Sequence, residues 1–112
     1  YSCSGCSSSA QMANWLAVQL DRAGLAEMSC IAGIGGNISS IVNKALTAKT
    51  IGIDGCALGC VRSCLKQIGL SDMIYYELSE FGVKKKYHED FDHLQAIEIF
   101  QQIKQKIQNC QK

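Results

Sequence analysis

At 112 residues, with a formal net charge of +1 and 19% charged side chains, the chain is long enough for one domain with a real core and too short for two. That balance excludes the polybasic footprint on which nucleic-acid binding relies, and no apolar run approaches the roughly 20 residues of a membrane span. With no charged start and apolar middle of a signal peptide, a soluble, cytoplasmic protein with neither nucleic-acid nor membrane partners is expected.

The seven cysteines do not suit a secreted disulfide scaffold, because such scaffolds are loop-rich and poor in core, whereas 47% of this chain is apolar in regular patterns. A reduced compartment fits better. In chain order, Cys3 stands at the end of what reads as a first strand with its beginning cut short, within a single domain spanning residues 1–112. Ser7, Ser8 and Ser9 offer N-cap hydroxyls to a helix carrying Ala13, Leu16, Ala17 and Leu20 on one stripe and stopping at Gly24. Residues 25–31 predict a short strand with Cys30 near its carboxyl end. Gly33-Ile34-Gly35-Gly36 then predicts a tight turn needing positive φ or, equally, a phosphate-binding turn before a helix, and Asn37 caps a helix through Ile38, Ile41, Val42 and Ala45.

Residues 50–54 predict a buried strand that breaks at Asp54-Gly55 and delivers Cys56 and Cys60 where a helix can begin. That helix carries Leu58, Val61, Leu65 and Ile68 and ends at Gly69. Residues 73–78 predict a further strand, and Asp92 with Gln95 predicts a capping box opening a last helix with Ala96, Phe100, Ile103 and Ile107. The Lys84-Lys85-Lys86 run reads as a solvated loop. Strands alternating with helices across short glycine-bearing loops predict an α/β fold: a small three-layer α/β/α sandwich with a mostly parallel four-stranded sheet. Ligands in such folds sit beyond the carboxyl ends of the strands. Cys3, Cys30 and Cys56 all follow predicted carboxyl ends, so topology brings together thiols that lie more than fifty residues apart in sequence.

Three stretches, Cys3-Ser4-Gly5, residues 28–36 from Met28-Ser29-Cys30 to Gly36, and Ile53-Asp54-Gly55-Cys56 followed by Cys60, together resemble the DGC-domain family of zinc-binding proteins, named for its Asp-Gly-Cys motif. The resemblance implies zinc held by four cysteines, which fall on Cys3, Cys30, Cys56 and Cys60, and it implies no particular reaction. Cys6 is an extra thiol in the opening motif and a substitute for the fourth ligand. Zinc takes four soft ligands in a tetrahedron, with each sulfur at about 2.3 Å. Cys60 lies one helical turn from Cys56, while Cys64 would be about 12 Å along the axis and is expected in the core. Cys110 is expected to be structural.

Two thiol-enzyme readings stand beside the metal site. Cys3 and Cys6 form a C-x-x-C pair that a dithiol redox couple would use, although a thioredoxin-like pair is expected within a βαβ context. Cys56 and Arg62, followed by Ser63, have the C-x5-R spacing of thiol phosphatases, in which cysteine attacks phosphorus and arginine grips its oxygens. The loop between them has glycine only at Gly55 and Gly59, and Asp90 and Asp92 are the candidate general acids. Asp54 reads as a turn residue, able also to accept from loop amides. His88 is expected in the loop after the last strand, at the thiol edge, and His93 near a helix start.

Overall fold

The structure, a computed structural model, describes residues 1–110, the side chain of Cys110 excepted, so the structural role expected of that cysteine lies outside what is described. In chain order it forms α1 (Ser8–Arg22), α2 (Ile31–Gly35), α3 (Ser39–Thr47), β1 (Ile51–Asp54), α4 (Cys60–Gln67), β2 (Ile74–Glu77), a 3-10 turn (Leu78–Phe81) and α5 (His93–Cys110). Among the described residues this is a mixed α/β arrangement of five α-helices and one two-stranded parallel sheet. No helix among them is long and apolar enough to cross a membrane.

β1 and β2 pair with Ile51 opposite Ile74 and Asp54 opposite Glu77. Residues 1–3 line the other edge of β1. Ile53 donates its N–H to the Tyr1 carbonyl at 2.8 Å, and Cys3 donates to the Ile53 carbonyl at 3.1 Å, around a parallel bridge between Ser2 and Ile53. Cys3 and the Asp54-Gly55-Cys56 corner therefore leave the sheet at the same end.

The four-stranded sheet expected from the sequence is not formed among the described residues. Residues 25–30 are irregular, although their apolar content suits a strand, because the end of α1 and a neighbouring carboxylate take up their donors. Leu25 and Ala26 donate to the Leu20 carbonyl, and Met28 donates to Asp21 Oδ2 at 2.8 Å. A strand needs those groups for a ladder. The expected glycine turn also differs: Ile31–Gly35 is a short helix, and Asn37, at φ 57°, makes the left-handed link to α3.

Helix starts and stripes follow local chemistry. Ser7 caps α1 by accepting from the Ala10 N–H at 3.1 Å. Met12, Leu16 and Leu20, four residues apart, bury one face of α1. They meet Ile99, Ile103 and Ile107 of α5 in a cluster that includes Ile53 and Tyr76 of the sheet. Phe100, placed on the buried stripe from sequence, is only half-buried, and Ile99 takes its place. A second cluster joins Ile34, Ala45, Val61 and Leu65 from α2, α3 and α4. Each fully buried aliphatic side chain contributes about 1.5–3 kcal/mol. α4 starts at Cys60, later than the sequence predicts, and leaves Leu58 72% exposed. Asp92 accepts from the Leu94 and Gln95 N–H groups, but the Gln95 side chain donates to the Gly82 carbonyl, so the cap is not reciprocal.

Candidate thiol site

Beyond the shared strand ends lies a cavity of about 420 Å³, lined by the thiol-bearing residues Cys3, Cys6, Cys56, Cys60 and Cys64. They come from residues 3–6 at the edge of β1, the corner after β1, and the first two turns of α4. Another cavity, of about 330 Å³, lies among Leu20, Leu25, Met28, Ile51, Ile74 and Ile107 and is lined by no cysteine. Cys30 is not among the residues lining the thiol cavity. It is exposed at the start of α2, directly before Ile31 and Ala32, which do line it. The six cysteines with described side chains carry free thiols.

The Asp54-Gly55-Cys56 corner assigns one task to each residue. Asp54 is 1% exposed and accepts from the Val61 N–H at 2.8 Å, the Arg62 N–H at 3.1 Å and the Tyr75 hydroxyl at 2.6 Å. It thus satisfies the otherwise orphaned donors that open α4 and offsets the positive end of that helix. The sequence favours an Asx turn here; the carboxylate instead caps the next helix from seven residues upstream. Burial, then the bond to Asp54, pushes the Tyr75 hydroxyl well above its usual range. Gly55 is required by close approach, since a Cβ there would lie 2.6 Å from the Ser9 carbonyl carbon and oxygen at the start of α1. Its N–H donates to Cys3 Sγ at 3.1 Å. Cys56 then faces the cavity, with Lys85 Nζ 3.7 Å from its Sγ.

Burial pushes the Cys3 thiol up from an ordinary 9.0 to about 11; the Gly55 N–H opposes that shift, and Asp54, Cys56 and Cys60 add to it. The direction is opposite to what a redox nucleophile at Cys3 needs. A thiol pKa raised by folding means that the native state keeps a proton the unfolded chain has lost. Metal-free protein is therefore expected to lose stability as pH rises between about 9 and about 11. Cys3→Ser should flatten that part of the curve, and urea melts of both proteins across this window check it. Equal slopes would refute the assignment.

The C-x5-R pattern finds no phosphate cradle. The amides of Val61 and Arg62, which would face an anion, already donate to the Asp54 carboxylate. The Arg62 guanidinium lies 4.9 Å from the centroid of the Tyr75 ring. Neither Asp90, Asp92, His88 nor His93 lines the cavity. His93 instead packs edge-on against Trp15 and tilted against Phe91.

Sequence reasoning missed two contributors. Cys64 follows Cys60 by four residues, a same-face spacing that could have placed it at the site. Lys85 arrives from a loop distant in sequence, so no local signal marks it.

A family model for the DGC domain matches residues 1–103. The chain belongs to the DGC-domain family. It is 48% identical over 101 residues to the anaerobic and virulence modulator AnvM of Pseudomonas aeruginosa, an alignment covering 89% of this chain and 77% of that protein. No solved structure matches. The family's name motif is the corner described above, with its carboxylate on a helix start, its glycine against α1 and its cysteine on the cavity.

The donor set suits a soft or borderline metal such as zinc, which thiolates bind in preference to the harder cations. Among the described residues no three His, Cys, Asp or Glu side chains stand close enough together to hold an ion. The fit of this DGC domain to a metal thus lies in the chemistry and convergence of its thiols on one cavity.

Proposed function

We propose that this single cysteine-rich α/β domain binds one zinc ion in the thiol cavity, and that the site serves structure, metal carriage or sensing. What carries the proposal is the gathering of thiols from three separate chain segments around one cavity at the carboxyl end of a parallel sheet. Cys3, Cys56 and Cys60 are the proposed core of the ligand set. Cys30, beside the rim, is the proposed fourth ligand, with Cys6 on the cavity wall as its substitute. Four thiolates would close the ion to substrates, which suits a role in modulation. That role agrees with the name of the related AnvM.

The test is elemental analysis of reduced protein purified without added metal or chelator, combined with a count of free thiols. About one zinc per chain is expected. Protein that takes up no zinc even when supplied would refute the proposal and leave a disulfide couple within the cavity as the leading alternative. Cys30→Ser and Cys6→Ser separate the two fourth-ligand assignments: whichever variant loses the metal names the ligand.

A further inference from the structure

Lys85 is the one Lys, Arg or His side chain among the described residues that line the thiol cavity. Its ammonium lies 3.7 Å from Cys56 Sγ and 5.2 Å from the centroid of the Tyr87 ring, another residue of the same wall. The backbone beside it is held in place. Ser8 donates its N–H to the Lys86 carbonyl at 2.8 Å, and Lys86 donates back to Ser8 Oγ at 3.0 Å, so the strap carrying Lys85 is clasped to the start of α1. Val83, two residues earlier, is buried in the α1–α5 cluster. Other nearby charges are engaged elsewhere: Asp54 receives three hydrogen bonds, Lys86 pairs with Glu89, and Arg62 lies over Tyr75.

Four thiolates around a zinc dication leave two negative charges uncompensated, and hydrogen bonds to the sulfurs are a usual means of holding such ligands in place. We propose that Lys85 is a positioning residue of the metal site, its ammonium donating to Cys56 Sγ and offsetting part of the excess negative charge. This rests on the zinc proposal above. It assigns the lysine run a role that its solvated appearance in the sequence conceals. It also distinguishes Lys85 from Lys84 and Lys86, which do not line the cavity.

The test compares wild type, Lys85→Met and Lys85→Arg by chelator competition for zinc and by the near-ultraviolet sulfur-to-cobalt bands of the cobalt-loaded proteins. Lys85→Met should bind zinc about tenfold more weakly, within the range seen when outer-shell partners of metal ligands are removed. Its cobalt bands should shift, and Lys85→Arg should recover most of the loss. The gap between Met variant and wild type should narrow from about 0.01 M to about 1 M salt, as the Debye length falls from about 30 Å to about 3 Å. Urea melts of the metal-free proteins should coincide, because the Lys85 side chain is exposed. Wild type that loads zinc while Lys85→Met matches its affinity and cobalt spectrum would overturn this inference alone. A salt-independent loss that arginine does not rescue would also overturn it. Wild type that takes up no zinc would overturn the metal proposal and this one with it.

Discussion

Asp54→Ala is expected to lose about 3–5 kcal/mol of stability in urea unfolding, a large share of the 5–15 kcal/mol typical of a folded domain. The loss follows from what the carboxylate holds. Two amides at the start of α4 and the Tyr75 hydroxyl all donate to it. Alanine would leave those three donors without their acceptor at a position that is 1% exposed in the native protein. Asp54→Asn, which keeps an oxygen acceptor but no charge, should cost about 1–2 kcal/mol, and Tyr75→Phe about 1 kcal/mol. An alanine variant no less stable than Tyr75→Phe would show that the helix start does not depend on this side chain. Arg62→Ala, by contrast, should be nearly neutral, since its guanidinium lies on an exposed surface over Tyr75.

With zinc present, Cys56→Ser should melt about 15 °C below wild type, and after chelation the two should agree within about 2 °C. The size of the gap comes from linkage: an ion at a thousandfold excess over its Kd stabilises the folded state by about 4 kcal/mol, or roughly 4 °C per kcal/mol for a chain of this length. The agreement after chelation separates a lost ligand from a damaged core. Metal content should fall with the melting temperature in Cys56→Ser and stay at wild-type level in Arg62→Ala. A phosphatase would behave oppositely. Aryl-phosphate turnover by metal-free protein, abolished by both substitutions, would make the chain an enzyme and remove Cys56 from the metal site.

What could be read from the sequence was what neighbouring residues decide among themselves. The Ser7 cap, the Ala13, Leu16, Ala17 and Leu20 stripe and the apolar run broken at Asp54-Gly55 depend on spacings of a few residues, and each is present in the fold. The strand expected over residues 25–31 failed because its donors had nearer acceptors, the Leu20 carbonyl and Asp21 carboxylate, which strand propensity does not take into account. Of the three thiols that topology is expected to gather, Cys3 and Cys56 do meet at the cavity, since parallel strands present their carboxyl ends together, whereas Cys30 stands outside its lining because the strand that would deliver it does not form. The axial distance of Cys64 from Cys56 argues against a shared site, yet the cavity is large enough to reach the second turn of α4. Lys85 was not legible at all. It depends on the clasp between Ser8 and Lys86, a contact across 78 positions.

Cys3 is the one described cysteine that packs against both apolar clusters, that of α1 and α5 and that of α2, α3 and α4. Its backbone is laced to β1 and its sulfur is tethered to Gly55. Whatever grips that sulfur therefore bears on both apolar clusters at once. Occupancy of the cavity would register as a change in the stability of the entire fold, and a chain whose folded population follows a bound ion can report that ion's abundance with no moving lid.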